Sequence, residues 1–402
     1  LAAHLLAMGT GQGSSGVWDA MRSGAWLHPQ RVRAYLWALA IANAASLAWL
    51  LLSSHGGLDP QGRLLGTDFV SFWAAGQVVH AGGNPYDMAV HRAAESVVWP
   101  QQTGYTAFFY PPLFLLWCLP FGVAGYFTAL AGWLIATTGA WLLAVRGWAG
   151  GIDGLMLAAF PPILISITHG QTSLLLAALL GGGFLCAARG QALRAGVLFG
   201  LAAFKPQFGV LVPLVLIAAR QWRIIGWAGL TVVLSAAVAT IAFGPDIWGQ
   251  WLAAAGPAQA AMAEGAVGFG KMQSLFAALR LLGLSVESAY GAQVVLSVAV
   301  AVMLVRLAWR QGMTQELGAA TLVGALLATP FVLDYDFALL AFPLILLARQ
   351  ESLPWERMAV AVGFAVGAFA RPLGVMTGIP VGALVIAGLF WVLLRRAEAT
   401  AS

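Results

Sequence analysis

Nine residues, LFLLWCLPF at Leu113–Phe121, decide how this chain is threaded. They are apolar enough to enter a bilayer, but as a helix they reach only roughly 14 Å of a hydrocarbon core about 30 Å thick, so they are expected to lie flat at the interface. That placement fixes the side of every later loop. With the N-terminus cytoplasmic, 14 of the 20 Lys and Arg fall inside, and only Arg63, Arg92, Lys205, Lys271, Arg280 and Arg371 fall outside. If the nine residues crossed, every loop from Arg146 onward would change sides and the bias would reverse.

Composition agrees with a membrane reading. The 402 residues are 60% hydrophobic and 9% charged, against about 25% charged in soluble domains. The net charge of +5 comes from residues scattered between apolar runs, which orients a membrane protein and excludes a nucleic-acid footprint. Two cysteines, Cys118 and Cys186, fall near opposite faces, so both are expected to be free, with no disulfide framework or metal cluster. The first 30 residues carry the Gly/Ser-rich piece Gly9–Gly16 and no apolar run of signal-peptide length. The chain starts on Leu1, not Met, and its opening residues are left out of the fold argument.

Candidate spans lie at 32–53, 125–145, 154–168, 172–188, 195–219, 224–243, 288–305, 317–333, 337–348, 357–370 and 378–394. Proline removes a backbone donor at Lys205-Pro206, so 195–219 is read as two half-length helices that enter and leave on the same side. The expected fold is an all-α polytopic membrane protein: a bundle of roughly a dozen transmembrane helices with amphipathic helices in its extracytoplasmic loops. Residues 1–30 form a cytoplasmic tail, 31–396 one integral-membrane domain with outer loops at 54–124 and 244–287, and 397–402 a second cytoplasmic tail. The expected location is a bacterial-type inner membrane, with the functional face outward.

The acids go the other way from the bases, nine of 15 falling outside. The first outer loop carries GTDF (Gly66–Phe69), NPYD (Asn84–Asp87) and FFYPP (Phe108–Pro112). Residues 68–81 are expected to form a helix on the membrane surface, with further helices over 87–99 and 246–263. Short outer turns fall at His169-Gly170-Gln171, Lys205-Pro206-Gln207, Asp334-Tyr335-Asp336 and Arg371-Pro372. Polar residues at membrane depth are functional candidates by default.

An acid soon after the first span, the NPYD and YPP motifs, HGQ at His169–Gln171 and AGVLFGLAAFKPQ at Ala195–Gln207 follow one another in an order that resembles glycosyltransferase family 87 of the GT-C superfamily. The likeness runs from about residue 32 to 350. It implies a GT-C-like bundle that uses a polyprenyl-phosphate sugar, mannosyltransferases being the known type. It also implies Asp68 as general base, with family motifs matched at Tyr110–Pro112, His169–Gln171 and Lys205. One departure is plain: where mannosyltransferases of the family tend to carry a late histidine pair, this chain has Asp334-Tyr335-Asp336.

Sugar transfer from a polyprenyl phosphate to a hydroxyl needs a base, cations for the departing phosphate and an apolar groove for the lipid. Asp68 suits the first role. Lys205 is the first phosphate candidate, with Lys271 and Arg280 behind it. Tyr110, His169, Gln171, Gln207, Gln273, Asp334, Tyr335 and Asp336 are candidates for holding substrate. The expected reaction is inverting transfer to a lipid or glycan acceptor amid membrane lipids, with no cofactor and no nucleic acid. Asp334 and Asp336 suit a sugar hydroxyl or a divalent cation, but two carboxylates alone do not make a metal site.

Plainer roles stay open. Asp68 is also placed to cap the 68–81 helix, Lys205 to snorkel as an interfacial anchor, His169 to bond a neighbouring loop, and Tyr110 to set loop geometry. The functional alternative is a lipid or small-solute transporter or flippase, which calls for ionisable residues near mid-membrane on several helices.

Overall fold

The structure, a computed structural model, describes residues 12–102, 104 and 106–401; the opening residues Leu1–Gly11 lie outside it. It is all-helical, with only isolated bridges such as Met272 to Leu333 among the described residues. Among the described residues, five helices are long and apolar enough to cross a membrane: Pro29–Ser53, Tyr126–Ala149, Trp222–Phe243, Val286–Gln311 and Glu356–Thr377. Apolar side chains on their outer faces stand free, Leu52 at 83% and Ile241 at 85% exposure, a surface that is stable against lipid and not against water.

Inside this ring lie two shorter helices, Ser173–Ala188 and Gln315–Ala328, which pack on each other. Every residue from Leu317 to Leu327 is buried. A helix apolar all round belongs in a core, and at 14 residues this one reaches only about 21 Å.

The break at Lys205-Pro206 is real, and the geometry shows what it does. A Cβ on Gly196 would lie 2.8 Å from the Ile224 carbonyl oxygen and 2.9 Å from the Ala228 nitrogen; one on Gly200 would lie 2.8 Å from the Ala228 oxygen and 2.5 Å from Thr231 Cβ. The contacts advance together along both helices, so Ala192–Leu201 and Trp222–Phe243 run parallel. The chain between them must therefore return, and Pro206–Gly209 and Leu211–Ala218 make the return. The result is a helical hairpin with Lys205 at its apex. Gly196 and Gly200 form a small-xxx-small face that lets the two backbones touch.

Other expectations change. Residues 68–81 do form a helix, Phe69–His80, but nine of its residues from Phe69 to Val78 are buried, so it sits inside the protein and not on a membrane surface. Gly76 lets it approach the 3-10 turn Leu119–Val123, where a Cβ would meet the Cys118 carbonyl oxygen at 2.5 Å. Span 154–168 is split at Phe160, which is extended (φ −78°, ψ 105°) as a residue before proline prefers, and Pro161 and Pro162 open the next helix. By contrast, no turn occurs at Arg371-Pro372: the helix Glu356–Thr377 runs through the proline. Apolar neighbours and local adjustment tolerate the lost backbone bond there. The last helix, Val381–Ala401, also outruns the expected boundary at 396.

At the end of the molecule opposite Asp68, arginines tie loops to helix ends. Arg189 donates to the Gly147 carbonyl at 2.8 Å and Arg349 to that of Trp148 at 2.8 Å, where the helix dipole favours a cation. Arg396 pairs with the buried Glu356, which also accepts from the Leu353 N–H at 2.7 Å. At the other end Asp59 organises the first loop. Burial alone would push its carboxyl up, but the N–H groups of Arg63 and Gln61 and the Arg63 guanidinium hold it below the usual carboxylate range. Cys118 is buried and Cys186 half-buried, both free.

The hairpin packing is open to test. Gly200→Leu forces a side chain into the Ala228–Thr231 backbone and is expected to cost about 1–3 kcal/mol or more, read as a lowered Tm and loss of monodisperse protein. Gly226→Leu, at a position with nothing within 4 Å, is expected to leave both unchanged.

Candidate active site

Two turns build the floor of the site. The Gly66 N–H donates to the Thr168 carbonyl at 3.2 Å and the Asp68 N–H to the His169 carbonyl at 3.0 Å, joining segments about a hundred residues apart. Both turns need glycine. Gly66 and Gly170 hold φ of +76° and +66°, and a Cβ on Gly170 would meet Phe69 Cβ at 2.6 Å. Tyr126 donates to the Leu65 and Gly66 carbonyls at 2.7 and 2.8 Å, and Trp133 to that of Gly170 at 3.0 Å.

This scaffold positions the Asp68 carboxylate. Although Asp68 precedes the Phe69–His80 helix, it has αR backbone angles and its side chain makes no capping bond. Asp87 of NPYD shows the contrast: its carboxylate accepts from the Ala89 and Val90 N–H groups as a helix cap. The half-buried Asp68 instead accepts from Gln171 Nε2 at 2.7 Å, and Gln171 Oε1 in turn accepts from the Thr172 N–H at 2.9 Å. One carboxylate oxygen is thus fixed by a neutral donor. The other has no hydrogen-bond partner among the described residues.

Tyr110 of the YPP motif reaches the same place, its hydroxyl 3.1 Å from Thr172 Oγ1 and its ring packed on Phe114 and Phe72. Tyr86 of NPYD donates to the Tyr110 carbonyl at 2.9 Å, so the first loop is tied to the second motif. Phe204 stacks near both Tyr110 and Phe114 and carries the hairpin apex to this wall.

Lys205 is buried, at 7% exposure, and its Nζ lies 3.2 Å from Asp336 Oδ1. A buried, paired ammonium is no interfacial anchor. Asp336 Oδ2 accepts from the Leu333 N–H at 3.1 Å, so both its oxygens are engaged. Asp334 accepts from the Tyr335 N–H at 3.1 Å and faces Arg371 Nη1 at 3.5 Å. Tyr335 sits between these pairs, its ring 5.5 Å from Lys205 Nζ and 6.4 Å from the His169 ring. Tyr335 thus lies between Lys205 and the turn at His169, whose carbonyl holds the Asp68 N–H.

The structure therefore brings Asp68, Tyr110, Gln171, Lys205, Tyr335 and Asp336 together, with His169 and Asp334 alongside. His169 Nδ1 lies 2.9 Å from the Ile165 carbonyl oxygen, within its own helix and not a neighbouring loop. Gln273 is buried behind the Asp-Tyr-Asp turn, its side-chain oxygen accepting from the Gly382 N–H at 3.2 Å and its backbone N–H bonded to the Val332 carbonyl. Arg280 donates to the Leu284 carbonyl and lies over Phe269, at work within its own loop. Lys271 and Gln207 are exposed. No group of three or more metal-binding side chains occurs among the described residues. The sequence reading gave Thr172 no part, and Arg371 none beyond its place in an expected outer turn. Arg371 carried a signal, a charge beside proline in an apolar run, but its partner lies in the separate segment Asp334–Leu340.

Residues 108–332 match the family model of Glycosyltransferase family 87, more than half of the chain. The chain belongs to glycosyltransferase family 87. No curated protein and no solved structure matches it. The matched stretch includes Tyr110–Pro112, His169–Gln171 and Lys205 but neither Asp68 nor Asp334–Asp336. For those residues the geometry of this family 87 chain is the argument.

The Lys205–Asp336 pair yields an energetic prediction. Removing one partner strands a buried charge, so Lys205→Met and Asp336→Leu are each expected to destabilise by about 3–5 kcal/mol. The double variant is expected to recover much of that loss, and a double-mutant cycle on thermal or chaotrope unfolding reads the coupling. Additive losses would show that the two charges do not interact.

Proposed function

We propose that this membrane glycosyltransferase moves a sugar from a polyprenyl-phosphate donor to a hydroxyl of a lipid or glycan acceptor, with Asp68 as general base. The observation that carries the proposal is the state of the Asp68 carboxylate: released from capping, oriented by Gln171, and set on the turn at His169 that Tyr335 and Lys205 approach. A base needs one oriented, unengaged oxygen, and this is the acid that offers it.

In the proposed step the acceptor oxygen attacks the anomeric carbon from the face opposite the phosphate, and the acceptor proton passes to Asp68. The bond from the anomeric carbon to the phosphate oxygen breaks, and the polyprenyl phosphate leaves with its electron pair, so the anomeric centre inverts. Lys205 supplies fixed positive charge on the phosphate side, in a site dry enough for that charge to matter. A groove lined by Leu113, Leu116, Trp117, Gly200, Leu201 and Ser235 opens beside the hairpin and suits an isoprenoid chain. No cofactor is invoked. Mannose is the family's default sugar, and the Asp-Tyr-Asp turn in place of a histidine pair makes the donor sugar the first quantity to measure.

The reading places the site on the outer face of a bacterial-type inner membrane, supported by the distribution of Lys and Arg. Family membership weighs against the transporter alternative, as does the gathering of the interior ionic groups near the two ends of the bundle.

The test is transfer of labelled sugar from a panel of polyprenyl-phosphate donors by purified protein, with Asp68→Asn alongside. Asp68→Asn preserves the shape of the site and is expected to fold normally while losing at least about 10²-fold in rate. Normal turnover by the folded variant would falsify the assignment of the base.

A further inference from the structure

The cation best placed to receive the donor phosphate is not one that the sequence singles out. The Asp-Tyr-Asp turn is flanked by two cations, each opposite one carboxylate: Lys205 on Asp336, and Arg371 on Asp334. The two are not equally available. Lys205 is buried, at 3.2 Å from an oxygen that accepts little else, and its ring contacts with Phe208 and Tyr335 close it in. Arg371 has 30% of its side chain exposed and makes one long contact, 3.5 Å from Nη1 to Asp334 Oδ2. A guanidinium carries five N–H donors in a planar fork, and one contact leaves most of that fork open.

Position supports the same choice. Arg371 stands near the end of the Glu356–Thr377 helix that packs on the turn Phe269–Lys271 and on the segment Asp334–Leu340. A Cβ on Gly374, three residues beyond, would meet the Gly270 carbonyl oxygen at 2.5 Å, so this end of the helix is held against the Phe269–Lys271 turn. Its partner Asp334 is nearly inaccessible and is held by the Tyr335 N–H, so the carboxylate anchors the arginine from behind.

We propose that Arg371 is a phosphate-binding residue of this site: its open fork takes the phosphate oxygens of a polyprenyl phosphate, while Asp334 orients it and Lys205 contributes charge from the buried side. The proposal rests on the polyprenyl-phosphate reading above. It assigns Arg371 the part that sequence reasoning gave to Lys271 and Arg280.

The test uses full-length protein in nanodiscs, titrated with a short-chain polyprenyl monophosphate and with the matching polyprenol. Wild type is expected to bind the phosphate at least tenfold more tightly than the alcohol, and Arg371→Gln to lose that preference while binding the alcohol unchanged. An undiminished preference in Arg371→Gln overturns the assignment and leaves the donor class standing. No preference in wild type overturns the donor class and the assignment with it. Asp334→Asn keeps an oxygen that accepts from the guanidinium and removes the competing charge, so it is expected to bind the phosphate at least as tightly as wild type; a loss matching that of Arg371→Gln marks the charged pair as a brace and overturns the proposal. Should Arg371→Gln not fold, Arg371→Lys decides: it keeps the charge and loses the fork, so a several-fold weaker phosphate affinity is expected and wild-type affinity refutes the fork.

Discussion

Two backbone hydrogen bonds hold this molecule's site together. They run from Gly66 to Thr168 and from Asp68 to His169, and they join the chain just past its first long helix to the turn before its central one. Neither segment has a regular partner of its own. A turn buried among aromatic rings must satisfy its N–H and C=O groups somewhere, and these two turns satisfy each other, with Tyr126 and Trp133 donating to carbonyls that remain. The absence of a side chain at Gly170 sets how close they come. The position of Asp68 relative to Gln171 follows from that distance, so the chemistry depends on backbone geometry before any side chain is considered.

Charge is arranged around this junction with the same economy. Interior ionic groups at both ends of the bundle are paired, Lys205 with Asp336 near Asp68 and Arg396 with Glu356 at the opposite end. Such pairs add little net stability over apolar packing, yet each is costly to break, which makes them devices for register. The first fixes the apex of the hairpin against the 334–340 segment. The second fixes the last helix against the start of Glu356–Thr377. Between them the core is apolar and close-packed, with glycines where helices touch.

Much of this was legible in the sequence, and the failures share a cause. The motif order placed Asp68, Gln171 and Lys205 as candidates, and Lys205-Pro206 announced the hairpin, because proline geometry is local. The burial of Phe69–His80 was not legible: Phe69, Phe72 and Trp73 look the same facing lipid as facing protein, since hydropathy measures escape from water and not choice of neighbour. The two prolines misread in opposite senses show the limit of local rules. Pro161 starts a helix where a span was expected to continue, whereas Pro372 sits inside one that was expected to stop. Lys205 and Asp336 are 131 residues apart, and Arg371 and Asp334 meet from separate helical segments. Pairings of that kind come from the fold and leave no mark in spacing.

The parallel run of Ala192–Leu201 and Trp222–Phe243 has a consequence for biogenesis. Neither arm of the hairpin is long enough to cross a bilayer alone, and the apex carries a buried lysine. A segment of that kind has no stable resting place in lipid until something covers it. The covering helix comes next in the chain, and Gly196 and Gly200 are the surface that receives it. The two arms and the helix that covers them thus depend on one another in lipid, and Lys205 finds Asp336 more than ninety residues beyond the end of that helix.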